Sequence, residues 1–422
     1  MQSVVSTHPD RARLLGEVHA RPFEPMPSPR IVRHVALITS EAQAQGLHAA
    51  MTACAQEAGV ASPADNVRYY VLNAFGGRLR WEQHSEFGSL TWDAPLKCKQ
   101  DGLALIFERA TESLGQIISM TQIDVVQSMD KIDLEDIYDT RSLCVSEVDN
   151  GIAIVATDFR QSDDGATCMH IASNKASEVV IGGLVQRLLE IETYRTLALL
   201  GLPLAQSTSP QITQIEKDFI EITASLSENP KAGSDSLLED ITRLSAELEA
   251  SAAACLFRFG ASKAYFEIVQ IRLKAIRERA FKHHMTLEAF LIRRLQPAMQ
   301  TINALEERQS NLSRKLSRAA NLLRTRVDVE LERQNRDLLT SMNHRAKLQL
   351  RLQQTVEGLS IAAISYYVIG LFSYFIKGFD KPLQSLTGVE YIGSILTAIA
   401  VPIVVGAMWL VVRRIHNSHK DD

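Results

Sequence analysis

Two apolar segments close this chain, and they constrain it more than anything upstream. Gly358–Ile376 and Tyr391–Val412 contain no charged residue. They run for about 19 and about 22 positions, and at about 1.5 Å per helical residue each can cross most of a ~30 Å hydrocarbon core. A loop of about 14 residues, 377–390, separates them, so the pattern predicts a hairpin whose two flanks face the same side. Lys347 and Arg351 precede the first segment, and Arg413, Arg414 and Lys420 follow the second. The loop carries only Lys377 and Lys381, offset by Asp380 and Glu390. The positive-inside rule therefore places both termini, and the bulk of the chain, in the cytoplasm.

The first segment is more polar than a plain lipid-facing anchor. It holds Tyr366, Tyr367 and Tyr374 together with Ser360, Ser365 and Ser373. Hydroxyls in a bilayer seek partners, and Gly358, Ala362 and Gly370 permit close helix approach. The expected interaction face is Gly358, Ser360, Ala362, Tyr366, Gly370 and Tyr374, packed against another helix in a homo-oligomer or lining a pore; the alternative is that its tyrosines are interfacial or contact the hairpin partner. Pro402 is expected to bend the second segment. The lipid bilayer is thus the first predicted partner.

Upstream, the texture changes twice. Residues 1–30 are expected to form an irregular arm broken by prolines, with no apolar core of a secretory signal. Residues 31–172 read as a sheet domain. Ile31–Ser40 is an apolar strand, and Glu41–Ala58 a helix closed by Gly59. Val67–Phe75 and Arg78–His84 form a hairpin turning at Gly76-Gly77. Phe87–Trp92, Leu103–Ile106, Ile117–Val126, Ser142–Val148, Ile152–Phe159 and Thr167–Ala172 are further strands, separated by Asp-, Asn- and Gly-rich turns. Residues 173–296 read as helical without strands. The expected helices there are Lys175–Leu200, stopped by Gly201 and Pro203, then Ile212–Ser227, Leu237–Ala254 and Arg258–Ala280, with an entry turn or kink at Phe259-Gly260. Pro297 is expected to break or kink the next helix. A stalk, 297–357, follows, with no glycine or further proline before Gly358. Its apolar stripe is Leu316, Ala320, Leu323, Val327, Leu331, Leu338, Met342, Ala346 and Leu350, which drifts from a strict heptad. The overall expectation is an α+β cytoplasmic domain, with an antiparallel or mixed sheet, a helical stalk, spans at 358–376 and 391–412, and a tail at 413–422.

Composition excludes some functions. With 45 Lys+Arg against 49 Asp+Glu and a pI near 6.3, nucleic acid is not an expected partner. Cys54, Cys98, Cys144, Cys168 and Cys255 are odd in number and form no Cys-x-x-Cys, which suits reduced thiols in a cytosol. There is no Walker-type loop, no glycine fingerprint, no His-Glu-x-x-His and no serine elbow. No organic cofactor is predicted, and no catalytic residue is assigned.

Three constellations could carry chemistry. Arg80, Glu82, His84 and Glu86 alternate along a strand, which puts one guanidinium, two carboxylates and an imidazole on one face. That row could hold a divalent metal or act as acid and base, or it could be a wet strand face with ion pairs. Glu17, His19 and Arg21 crowd the N-terminal arm, which could fold over that strand. Arg187, Glu190, Glu192, Tyr194 and Arg195 sit on one helix, where Glu192–Arg195 and Glu190–Tyr194 are spaced to pair in a structural polar network.

The stretches HPDRARLLGEVHARPF (8–23), LRWEQHSEF (79–87), VQRLLEIETYRTLALLGLPLA (185–205), RFGASKAYFEIV (258–269) and 322–378 resemble a family of uncharacterised bacterial membrane-anchored proteins, defined only as a domain of unknown function. The resemblance covers nearly the whole chain and implies an anchor in the bacterial inner membrane, without an activity. A looser architectural similarity links the chain to CorA-type magnesium channels, which also run a long helix into a two-span hairpin. Their Gly-Met-Asn motif is replaced here by Tyr374-Phe375-Ile376-Lys377-Gly378. The leading expectation is an oligomeric scaffold or sensor acting on an unidentified protein or small molecule. A divalent-cation channel and a metal-dependent tethered enzyme are the alternatives.

Overall fold

The computed structural model describes residues 7–11, 15, 24–65, 67–110, 113–130, 132–173, 176–228, 234–387 and 392–418. The chain forms two compact units, Met1–Asn321 and Leu322–Asp422.

The first unit is built on a mixed sheet. Its first strand, β1 (Arg30–Ile38), is apolar enough to be buried on both faces and becomes an inner strand. Helix α1 (Glu41–Glu57) starts at a capping box, in which the Ser40 hydroxyl accepts from the Gln43 amide and the Gln43 side chain accepts from the Ser40 amide. It ends as the sequence predicts, with Gly59 at φ +70° and the Val60 amide donating to the Ala55 carbonyl. The hairpin of β2 (Tyr69–Ala74) and β3 (Gly77–Gln83) turns one residue earlier than expected. Phe75 and Gly76 take the two positive-φ positions, at 54° and 79°. Gly77 is instead a strand residue, needed because a Cβ there would stand 2.6 Å from the Trp92 ring and the Asp93 carbonyl. Strand β4 (Phe87–Pro95) completes the meander and pairs with β1.

Leu103–Ile106 corrects the sequence reading. It lies in a helix, α2 (Gly102–Arg109), capped by the Asp101 carboxylate on the Leu103 amide. A four-residue apolar run carries too little period to separate strand from helix. The Asp101 cap and the contact of Gly102 with Trp92 decide it. The remaining elements are β5 (Gln116–Val126), a single turn α3 (Leu134–Ile137), β6 (Cys144–Val148), β7 (Ala153–Gln161) and β8 (Thr167–Ala172). Helices α4 (Glu178–Leu199), α5 (Gly201–Glu228) and α6 (Ser234–Ala275) follow. A two-residue strand, β9 (Arg279–Ala280), pairs with β6, where no strand was expected. Among the described residues the sheet has nine strands in the order β2-β3-β4-β1-β5-β8-β7-β6-β9. All the neighbouring pairs are antiparallel except β5–β8.

Alternation sorts the strand residues onto two faces. Leu79 and Trp81 of β3, Leu90 and Trp92 of β4, and Val35 and Leu37 of β1 bury against α1 and α2. Val32, Ile123, Val155, Met169 and Ile171 face the other way and bury against α4, α6 and the segment from Leu287. Helix α4 ends at Leu199 as Gly201 and Pro203 suggested, but α5 begins at once instead of after a loop. Gly201 donates its N–H to Ser262 Oγ at 3.1 Å, and a Cβ there would crowd that oxygen. The expected turn at Phe259-Gly260 is absent. Phe259 is fully buried, and its packing carries α6 straight through. Pro297 likewise does not break its helix, α7 (Leu287–Thr387), where Leu295, Ala298, Met299 and Ile302 are all buried around it.

One close approach ties the chain's early residues to α4. Met26 donates its N–H to the Glu178 carbonyl at 2.9 Å, and a Cβ on Gly182 would lie 1.9 Å from the Glu24 carbonyl oxygen. Alanine gains about 1 kcal/mol of helix propensity over glycine. A backbone collision this deep costs more, since overpacking alone is worth about 1–3 kcal/mol. Gly182→Ala is therefore expected to lower the melting temperature and to speed amide exchange at Met26. An unchanged or raised melting temperature would show that segment 24–26 yields freely.

In the second unit, α7 continues to Thr387 and α8 spans Ile392–Ser418. Both contain windows long and apolar enough to cross a membrane, with mean hydropathy 1.8 and 2.3. Only 11% and 6% of those windows is buried. A core helix of a soluble protein would bury most of such a window, so the exposure favours an apolar surrounding medium. The expected interaction face lies on this helix, with Gly358, Ser360, Ala362, Tyr366 and Tyr374 exposed and Gly370 half-buried. All five cysteines are free thiols.

Candidate functional site

Two constellations that look separate in sequence meet in space. Arg80 and Glu82 alternate on β3, opposite Thr91 and Ser89 of β4, on the face that α4 covers. Gln186, Leu189, Glu190, Thr193 and Tyr194 recur at three- and four-residue steps on α4 and look back at that face. Between them lies a pocket of about 220 Å³, which His34, His84, Phe87 and Arg272 complete.

Its walls are paired ions. Arg80 Nε lies 3.0 Å from Glu82 Oε1, and His84 Nε2 lies 3.7 Å from Glu82 Oε2. Burial pushes the Glu82 carboxyl up, but His84 and the Arg80 charge outweigh it and hold the group below the usual range. Glu82 is therefore an anion at neutral pH. Across the pocket Glu190 takes the Arg272 guanidinium and the Gln186 amide at 3.1 Å. His34 sits at the floor between two threonines, with Nδ1 2.9 Å from Thr91 Oγ1 and Nε2 3.1 Å from Thr193 Oγ1. Burial, then the Arg80 charge, lowers its pKa to about 3. His34 is neutral and both its nitrogens are engaged, so it shapes the floor without being a free base. His84 stacks on Phe87, with ring centroids 4.2 Å apart.

Glu86 leaves the row. The strand ends at Gln83, so the two-residue alternation stops before Glu86 is reached. Its carboxylate instead accepts from Arg258 Nη2 at 2.6 Å and from the Tyr265 hydroxyl, both on α6. The Glu82–His84–Glu86 metal set is thereby broken up. Among the described residues no three His, Cys, Asp or Glu side chains stand together as metal ligands.

The helix network divides in two. Glu192 and Arg195 form the predicted pair, buried outside the pocket, with Thr167 as a third member. Glu190 pairs with Arg272 of α6, and Tyr194 stacks on Tyr265 at 5.5 Å. Arg187 is half-buried on the same helix and does not line the pocket. Glu17, His19 and Arg21 lie outside the described residues. His34, Gln186, Thr193 and Arg272 were not singled out from sequence. Gln186 and Thr193 share the helix face of Glu190, and that spacing was the available signal.

A family model described as a protein of unknown function (DUF3422) matches residues 6–419. The chain belongs to this family. No curated protein and no solved structure matches it. The pocket residues on β3, α4 and α6 all fall inside the span that defines the family.

Proposed function

We propose that the chain is a membrane-anchored sensor of the bacterial inner membrane. In this reading its cytoplasmic α+β part binds a small polar molecule and passes that state along α7. The observation that carries the reading is the pocket between β3 and α4, because a scaffold has no need of one. Its charges balance in two ion pairs, Arg80–Glu82 and Arg272–Glu190. A molecule carrying both an anionic group and a hydrogen-bond donor suits such walls: Arg80 offers its guanidinium to the anion, and Glu190 accepts from the donor. Relay along α7 draws support from the absence of glycine and proline between Pro297 and Gly358.

The test is thermal unfolding of the detergent-purified full-length protein against amino acids, dicarboxylates and sugar phosphates. Saturation at about 100 times Kd would stabilise by about 2.7 kcal/mol. At least one class is expected to raise the melting temperature of the native chain and to lose most of that effect with Arg80→Gln. If no class shifts the native chain, or if Arg80→Gln responds equally, the pocket is not the ligand site.

A further inference from the structure

The outward face of α7, from just before the first apolar segment into its middle, carries a seam that no other described residue covers. Leu352, Val356, Leu359, Ala363, Tyr366 and Gly370 follow one another in steps of four and three. This is the strict 3.5-residue period of two helices wound about each other. All of them are exposed except Gly370, which is half-buried. The hairpin's own packing uses the opposite side. On α7 the buried positions there are Ser365 and Ile376. On α8 the buried or half-buried positions include Gly393, Thr397, Ala400, Val404 and Met408, again at steps of three and four. Tyr366, Tyr367 and Tyr374 therefore point away from α8, at 76%, 70% and 75% exposure.

Lipid is a poor neighbour for this face. At about 1.5 Å per residue Tyr366 lies about 12 Å beyond Gly358, well inside a ~30 Å core and too deep for a headgroup to reach. Its hydroxyl needs a partner there. Ala363 and Gly370 lie on either side of it and let a second backbone come close. The positions flanking the seam, Gln353, Thr355, Ser360 and Ala362, are uncharged, so identical helices side by side meet no like-charge repulsion. Copies anchored in one membrane share a direction, which places Ala363 against Ala363 and Gly370 against Gly370.

We infer that this seam joins parallel copies of the chain, from the last turns of the cytoplasmic helix through the middle of the first span. The inference rests on the two apolar helices being membrane spans. Its test is the mass of the full-length protein in lipid nanodiscs, preceded by membrane sedimentation. The native chain is expected to sediment with membranes and to assemble as more than one copy. Gly370→Leu and Ala363→Leu should each lower the assembled fraction by on the order of tenfold. Tyr366→Phe, which keeps the shape, should lower it less. Leu371→Ala, exposed but off the seam, should leave it unchanged. A chain found in the soluble fraction would remove the membrane reading and this inference with it. A membrane-held chain that is monomeric, or one whose assembly ignores all three seam variants, would overturn the inference alone.

Discussion

Glu192→Ala is expected to destabilise the first unit by about 3–5 kcal/mol, the range for breaking one side of a buried ion pair. Glu192 is 1% exposed. Arg195 grips it with Nε and Nη2 at 2.5 Å each, and the Thr167 hydroxyl donates to Oε1 at 2.8 Å. Arg195 also lies over the Phe159 ring, 5.4 Å from its centroid, and that ring stacks on Phe290. Removing the carboxylate strands a guanidinium that is only 16% exposed and leaves a buried hydroxyl without its acceptor. The pair itself is not the source of this cost, since desolvation offsets most of its attraction. A double variant, Glu192→Leu with Arg195→Met, should therefore recover much of the loss. Glu192→Gln, which can still accept from Thr167, should fall between. Denaturant unfolding followed by the fluorescence of Trp81 and Trp92 would measure all three. A Glu192→Ala loss below about 1 kcal/mol, or a double variant worse than the single one, would show that the network carries little weight.

That pair was legible in sequence because its geometry is local: three residues apart on a helix is a contact whatever the fold. The strands were legible for the same reason. β5 and β8 emerge within a residue or so of their expected limits, as Gln116–Val126 and Thr167–Ala172. The errors fall where a local pattern is outweighed by something distant. Leu103–Ile106 became helical through its cap and its contact with Trp92. Phe259-Gly260 and Pro297 look like breaks, yet both sit inside helices whose neighbours are buried. The pocket shows the limit most clearly. Arg80 and Glu190 are about 110 positions apart, and only the covering of the sheet by α4 brings them to one cavity. Glu86 marks the opposite failure, because alternation is a property of the strand and lapses where the strand ends.

A different kind of stability rests on His34, and it should appear as a pH dependence. In the folded chain burial, then Arg80, holds this imidazole neutral down to about pH 3. In the unfolded chain it takes up a proton near pH 6.5. Between those values the unfolded state binds a proton that the folded state does not, so stability falls as the pH falls, by up to about 1.4 kcal/mol per pH unit. Above about pH 6.5 neither state is protonated and the full stability is present. From pH 7 to pH 5 the loss through His34 should reach about 2 kcal/mol. The neighbouring groups set the range to use. Glu82, held low by His84 and Arg80 against its burial, adds a loss of its own only as the pH falls below the ordinary carboxylate range. His170, lowered by burial, contributes in the same direction as His34, while Asp124, raised by burial, opposes it. Both are untouched in a His34→Gln variant, so the difference between the two proteins isolates His34. The variant should be the less stable at pH 7, having lost an imidazole held by Thr91 and Thr193. The gap should close by about 2 kcal/mol on going to pH 5. Parallel curves for the two proteins over that interval would mean that the pocket floor admits a charged imidazole, and that the His34 site is wetter than its burial implies.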